Sequence, residues 1–182
     1  MQIGIIAEDK SDFESLKIII HKINNRSYKF KPMVGRGAGR IISKCHAWSN
    51  SLKLSGCTRL VLLQDSDGKS PESLKKTLNA ALSPCPIKDN IIVIAVEELE
   101  GWLLSDKKAI HTVFCNSGKL PLEMASPENI SNPKEHLTKF VKSAYKKTYI
   151  NTVHNVRIAK EIDIQKIKSK CSSFAELYKF FE

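Results

Sequence analysis

Short apolar runs alternate along the chain with longer segments of mixed polarity. Three of these runs are rich in Ile, Val and Leu, which predicts buried strands at 2–7, 59–64 and 90–96. A fourth run, 29–34 (KFKPMV), alternates apolar and basic residues. Its Pro32 predicts an edge strand, because proline has no N–H to donate to a neighbouring strand.

The segments between the runs have helical periodicity. A helix is predicted from Asp12 to about Asn24, with one apolar face formed by Phe13, Leu16, Ile20 and Ile23. Further helices are predicted over 40–56 and 70–82, the second with Pro71 in its first turn, where proline is well tolerated. Apolar strands that alternate with helices indicate an α/β fold, with a mostly parallel sheet flanked by helices.

The composition changes beyond Asp106. A polar segment over about 115–132 leads into helices opened by the sequences NPKE, which pairs Asn132 with Glu135, and SSFAE, which pairs Ser173 with Glu176. Both match the capping box, in which a polar side chain and an acidic residue three positions later bond backbone N–H groups. We therefore predict a core over 1–114 and a helical C-terminal extension over 115–182, packed on the same domain.

The composition also excludes several classes of protein. No apolar run approaches the roughly 20 residues needed to cross a bilayer, and the N-terminal sequence MQIGIIAEDKSDF lacks the basic segment of a signal peptide. The five cysteines and five histidines are scattered, without the spacing of a disulfide framework or a zinc site. We expect a cytoplasmic protein that does not associate with membranes.

Positive charge is concentrated in the first third of the chain. The net charge is +10, and from Ser15 to Gln64 there are ten Lys or Arg and no Asp or Glu. Such a surface suits a polyanionic partner such as nucleic acid, although it also favours solubility.

The sequence GRGAGR, residues 35–40, lies within this basic stretch. Its glycines would allow backbone N–H groups to approach a phosphate, with Arg36 and Arg40 adding contacts and Lys69 lying near the acidic residues described next. The segment lacks the Lys-Ser/Thr of a P-loop, so no nucleotide cofactor is predicted. An ordinary loop with solvated arginines is the alternative.

Acidic residues follow three of the predicted strands. They are Glu8 and Asp9, then Asp65 and Asp67, then Glu97, Glu98 and Glu100. The carboxyl ends of parallel strands meet at one edge of the sheet, where ligands bind. Oxygen donors without His or Cys favour Mg²⁺ or Mn²⁺, and a divalent ion would relieve the repulsion between Asp65 and Asp67. Each group alone could also be a turn or a helix start.

The order of these motifs resembles a known family. The segments IIAEDKSD, GRGAG, LLQDSDG, VEELEGWLLSD and CSSFAEL resemble, in turn, the elements of a Toprim-like family of bacterial proteins. That family is related to the nucleases of the overcoming-lysogenization-defect group. The resemblance covers nearly the whole chain, and E-L-E-x-W-L-L is its most specific part. One departure is Asp9, which stands where many Toprim proteins have glycine.

The resemblance implies an Mg²⁺-dependent nucleic-acid-cleaving module, often an effector of phage defence beside an ATPase partner. It assigns Glu8 as metal ligand and general base, and Asp65 and Asp67 as Mg²⁺ ligands. Glu98 and Glu100 would complete a second metal position or orient its waters.

Two alternatives stay open. A non-catalytic nucleic-acid-binding or regulatory subunit would keep the acidic residues for structure. A receiver-like phosphorelay domain also has an acidic pair after its first strand and a phosphoacceptor Asp after its third. It needs Ser or Thr after a fourth strand and Lys after a fifth, whereas here EELE follows the fourth and no clear fifth strand ends in Lys.

Overall fold

The computed structural model describes residues 1–35, 37–115 and 120–182. Within them, a four-stranded, all-parallel sheet is flanked by helices on both faces. The strands are β1 (Gln2–Ala7), β2 (Lys29–Val34), β3 (Arg59–Asp65) and β4 (Asp89–Ala95), in the spatial order β2-β1-β3-β4. The predicted α/β class is confirmed, and the architecture is consistent with a Toprim-like fold.

The helices cover both faces of the sheet. They are α1 (Lys10–Asn24), α2 (Ala38–Leu54), α3 (Pro71–Leu82), α4 (Glu100–Leu104), α5 (Lys107–Phe114), α6 (Pro133–Tyr145), α7 (Asn151–Glu161), α8 (Ile164–Lys170) and α9 (Ala175–Phe181). Short 3₁₀ turns occupy Pro127–Asn129 and Ser172–Phe174. Helix α2 begins two residues earlier than the sequence suggested, directly after Gly37, whose φ of 115° suits glycine and ends the preceding loop.

Strand β2 lies at an edge of the sheet, as Pro32 predicted. It pairs with β1 alone, and Pro32 stands opposite Ile5. All six of its residues are partly or fully exposed. No strand pairs with the outer side of β2, so proline, which has no N–H to donate, is tolerated in this position.

Alternation along the strands divides the core into two layers. Ile3, Ile5 and Ala7 pack with α1 and the C-terminal helices on one face, whereas Ile6 and Leu62 pack with α2 and α3 on the other. All five side chains are fully buried. Continuous apolar runs therefore formed strands covered on both faces, as expected of parallel sheets.

The C-terminal helices contribute to the same core as α1 and α4. Phe174, Leu177 and Phe181 are at most 1 % exposed and belong to that cluster. The ring of Trp102, which is fully buried, meets Phe174 edge-on at 5.2 Å between centroids, and its Nε1–H donates to Ser173 Oγ at 2.8 Å. Trp102 is thus a core residue that joins the sheet region to the C-terminal segment.

The two predicted capping boxes do not form. Asn132 makes no side-chain cap to α6, and α9 begins only at Ala175, after the 3₁₀ turn, so Ser173 is not its N-cap. The hydroxyl of Ser173 instead contacts Glu128, which also accepts the backbone N–H of Ser172 at 2.7 Å. Ser173 thus makes a tertiary contact with Glu128 where a local cap was predicted.

The helices divide between the two faces in a way that creates a crevice. Helix α1, which connects β1 to β2, lies on one face, whereas α2 and α3 lie on the other. The chain therefore changes direction between the neighbouring strands β1 and β3. In doubly wound folds, this switch point at the carboxyl ends of the strands is where ligands bind.

The strand order also bears on the receiver-like hypothesis. The order β2-β1-β3-β4 corresponds to the first four strands of a flavodoxin-like sheet. The described residues contain no fifth strand, so the lysine that a receiver needs there has no counterpart among them.

None of the helices in the described residues is long and apolar enough to cross a membrane.

Candidate functional site

Carboxylates from three strand ends come within electrostatic reach of one another. Glu8 follows β1, Asp65 ends β3, and Glu100 opens α4 shortly after β4. Burial raises the pKa of the Asp65 carboxyl well above its usual range, and the negative charges of Asp12, Glu100, Glu8 and Asp67 add to that rise. The structure thus brings four of the predicted site residues together: Glu8, Asp65, Asp67 and Glu100.

The Asp65-Ser66-Asp67 segment is held against the turn that follows β4. The N–H of Leu99 donates to Asp65 Oδ1 at 3.0 Å, and the N–H of Glu97 donates to Ser66 Oγ at 2.7 Å. The N–H of Asp67 donates in turn to the Glu97 carbonyl at 3.1 Å. These bonds fix the two aspartates relative to the end of β4.

Two non-glycine residues of this region have left-handed backbones. Asp67 has a φ of 47° and Glu97 a φ of 59°. The left-handed conformation costs a non-glycine residue about 1 kcal/mol or more, and here the backbone bond between Asp67 and Glu97 maintains it. Gly68, at φ 75°, follows at no such cost.

Asp12 belongs to the acidic site, although it was not among the predicted site residues. It lies in the first turn of α1 and is only 8 % exposed. Burial, together with the charges of Asp9 and Glu100, raises its pKa to about 8. A sequence signal existed, because Asp9 and Asp12 have the spacing of a capping box.

That capping box gives Asp9 a local structural role. Its Oδ1 accepts the N–H groups of Ser11 at 2.6 Å and Asp12 at 3.0 Å, and Asp12 Oδ2 accepts the N–H of Asp9 at 3.2 Å. Asp9 is therefore the N-cap of α1. The side chain of Asp9 thus begins the helix next to the site.

Glu100 is hydrogen-bonded by the C-terminal extension. It is 4 % exposed, and its Oε1 lies 3.1 Å from the Tyr149 hydroxyl and 3.1 Å from the Asn155 amide nitrogen. Burial and the negative charge of Glu100 raise the pKa of Tyr149, so the phenol remains a neutral donor. Tyr149 and Asn155 carry no positive charge, so they do not neutralise the carboxylate. Neither residue was predicted for the site, since both lie some fifty residues from Glu100 in sequence.

Glu8 and Glu98 also have carboxyl groups whose pKa is raised. Burial and the charge of Asp67 raise the pKa of Glu8, and its buried Oε1 has no hydrogen-bond partner in the part of the chain that the structure describes. Glu98 Oε2 accepts the N–H of Lys134 at 2.7 Å, at the start of α6. Burial also raises the pKa of Glu98.

The predicted phosphate-binding residues Lys69 and Arg40 are exposed and form no ion pair with the site carboxylates in the described residues. Lys69 is exposed, and its charge opposes the rise in the pKa of Glu8. Arg40 is exposed in the first turn of α2, with no carboxylate contact in the described residues. Arg36 lies outside the described residues. The N–H of Gly35 donates to the Ala7 carbonyl at 2.9 Å, so the GRGAGR segment starts beside Glu8.

A family comparison covers almost the whole chain. The DUF4276 family, described as a domain of unknown function, matches residues 7–182. The chain belongs to the DUF4276 family. No curated protein and no solved structure matches it. The match extends from the end of β1 to the end of the chain, so every acidic residue of the site lies within the DUF4276 domain.

The donor chemistry of this DUF4276 site fits a hard divalent cation. Its ligating atoms would all be carboxylate oxygens, and the buried Oε1 of Glu8 lacks a partner in the described residues. None of the site carboxylates forms an ion pair within that part of the chain. Across 1–35, 37–115 and 120–182, no three His, Cys, Asp or Glu side chains are already grouped to hold a metal ion.

Proposed function

We propose that this DUF4276 protein is a metal-dependent phosphodiesterase that cleaves nucleic acid, with Mg²⁺ or Mn²⁺ as its cofactor. One observation carries the proposal. Carboxylates that follow β1, β3 and β4 lie within electrostatic reach of one another at the switch point of a parallel sheet, and no lysine or arginine of the described residues forms an ion pair with them. Carboxylates without ion-pair partners at a ligand-binding edge suit a divalent cation, which prefers oxygen ligands.

The chain's residues divide into distinct roles under this proposal. Asp65, Asp67 and Glu8 would hold the ion, and Glu98 and Glu100 would support a second metal position. When bound, the ion would polarise a phosphate oxygen and lower the pKa of a bound water. Glu8 is the candidate general base, because its buried oxygen has no competing donor in the described residues.

A non-catalytic nucleic-acid-binding subunit is the second candidate, and specific contacts favour it. Asp9 and Asp12 form a helix cap, and Glu98 and Glu100 accept hydrogen bonds from the C-terminal segment. These contacts give four acids a structural role. The explanation does not extend to Asp67, which is exposed and whose side chain has no hydrogen bond in the described residues.

The proposal also includes the setting that the resemblance implies, an effector of phage defence that acts with an ATPase. Among the described residues, the exposed surfaces of the C-terminal helices are available for such a partner, whereas the apolar side of α9 is buried. Co-purification of the two proteins from a shared operon tests this part independently of cleavage.

The cleavage experiment compares wild type with Asp67→Asn and with Glu161→Gln as the matched control. Supercoiled plasmid and single-stranded RNA are incubated with Mg²⁺, Mn²⁺ or EDTA. Glu161 is exposed, and its charge acts on Lys22 at the far end of α1 from the site. We expect cleavage only with metal, a loss of about 100-fold or more in Asp67→Asn, and little change in the control. Equal cleavage by both variants would show that the activity does not depend on Asp67 and would refute the proposed site. No cleavage by the wild type on either substrate would leave the non-catalytic candidate.

A further inference from the structure

A groove lined by lysines lies along α6 and the loop that follows it. Its volume is about 780 Å³, and its lining includes Lys139, Lys142, Ser143, Lys146, Lys147 and Tyr149. We call this surface the α6 lysine groove. It belongs to the C-terminal extension, outside the basic stretch from Ser15 to Gln64.

The positive charge of the groove is not compensated locally. From His136 to Lys160 the sequence contains six Lys or Arg and no Asp or Glu. Lys142, Lys146 and Lys147 are exposed and form no ion pair in the described part of the chain. Lys139 pairs only with Glu135, four residues earlier on the same helix, and exposed pairs of this kind contribute less than about 1 kcal/mol.

Helix stability accounts for only part of this charge. Lysines near a helix C-terminus interact favourably with its dipole, which applies to Lys142 in the last turn of α6 and to its C-cap, Lys146. Lys147 lies beyond the helix end, and the acid-free sequence continues through α7 as far as Lys160. The dipole therefore explains Lys142 and Lys146 but not the rest of the charge on this surface.

The groove adjoins the acidic site. Tyr149 lines the groove, is 6 % exposed, and places its hydroxyl 3.1 Å from Oε1 of Glu100. At the other end of α6, the N–H of Lys134 donates to Glu98 at 2.7 Å. The segment that carries the lysines is thus attached to the acidic site at two points.

We propose that the α6 lysine groove binds the sugar-phosphate backbone of a nucleic acid and leads it to the acidic site. This inference rests on the proposed function and names the surface by which that site would receive its substrate. Among the described residues, the only aromatic side chain of the lining is that of Tyr149, which is buried, so the groove offers cations for phosphates and no exposed ring for base stacking. Binding should therefore be independent of sequence and steeply dependent on salt.

The test uses two triple variants that remove the same charge. Lys142, Lys146 and Lys147 are replaced by glutamine in the first, and the exposed lysines Lys88, Lys108 and Lys179 in the control. Each variant removes three positive charges from a net charge of +10. Fluorescence anisotropy follows binding to a labelled DNA duplex of about 20 base pairs and to an RNA strand of similar length, between about 50 and 300 mM NaCl. EDTA is present throughout, so neither metal nor cleavage enters the measurement.

We expect the groove variant to bind about tenfold or more weakly near 100 mM NaCl. For the duplex, the slope of log affinity against log salt should flatten by roughly 0.9 for each phosphate that the variant no longer neutralises. The control should keep the wild-type slope, and unchanged melting temperatures for both variants would show that the fold is intact.

Several results would overturn the groove assignment. Equal losses of affinity in both variants would mean that net charge alone governs binding, and no loss in either would place the nucleic acid elsewhere. Polyglutamate of matched charge that competes as well as DNA would indicate an acidic protein partner. Absence of wild-type binding would also overturn it, while the plasmid and RNA cleavage assay with Mn²⁺ would still decide the proposed function separately.

Discussion

Replacing Asp12 with asparagine is expected to stabilise the metal-free protein at alkaline pH. Asp12 is 8 % exposed, and burial and neighbouring carboxylates raise its pKa from an ordinary 3.8 to about 8. Below pH 3.8 the carboxyl is protonated in both the folded and the unfolded state. Between 3.8 and about 8 the unfolded state loses a proton that the folded state keeps, so the free energy of unfolding falls as the pH rises.

The size of this effect follows from the two pKa values. The difference between about 8 and 3.8, at about 1.36 kcal/mol per pH unit, sets an upper limit of about 6 kcal/mol above pH 8. The neighbouring carboxylates titrate together with Asp12, so its own share is smaller, and we expect about 1–3 kcal/mol. Asparagine removes the charge and keeps an oxygen that can accept the N–H of Asp9.

The assay is urea denaturation in EDTA at several pH values from about 4 to 9. The difference in unfolding free energy between Asp12→Asn and wild type should be small near pH 4 and should grow as the pH rises. Asp163→Asn is the matched control, because Asp163 is an exposed N-cap and asparagine caps helices equally well. A difference that does not change with pH, or a mutant less stable than wild type at pH 9, would refute the electrostatic reasoning.

Two further predictions concern the metal and the C-terminus. Mn²⁺ should raise the melting temperature of wild type but not of Asp67→Asn, because a ligand stabilises only the state that binds it; equal shifts in both would place the metal elsewhere. Truncation before Ser172 should unfold the protein, as circular dichroism would show. The loss of buried Phe174, Leu177 and Phe181 removes about 2 kcal/mol or more per side chain from a typical total of about 5–15, and a shortened chain that stays folded would contradict this.

Much of the fold could be predicted from the sequence because its signals are local. Continuous apolar runs identified β1, β3 and β4, and Pro32 identified β2 as an edge strand. The convergence of strand-end residues also follows from a general property, since parallel strands have their carboxyl ends at one edge. Glu8 could therefore be expected near Asp65, although 57 residues separate the two along the sequence.

The contacts that complete the site could not be predicted in the same way. Tyr149 and Asn155 reach Glu100 only because α6 packs against α4 and α7 packs against α1, α4 and α5, and no periodicity encodes that packing. Motif matching also misled at Ser173, where a capping-box pattern was present but the chain formed a 3₁₀ turn. Asp12 was not predicted as a site residue, because an acid in the first turn of a helix ordinarily stabilises the helix start.

The acidic site persists in the folded chain because backbone and neutral groups supply its hydrogen bonds. Asp65 accepts the N–H of Leu99, Glu98 accepts an N–H at the start of α6, and Glu100 is met by a phenol and an amide. Such donors stabilise carboxylates without cancelling their charge. In the described residues Glu8 Oε1 and the Asp67 side chain lack even these partners. The repulsion that remains at those two residues is what a divalent cation would relieve, which is why Asp67→Asn is the decisive variant for both cleavage and metal binding.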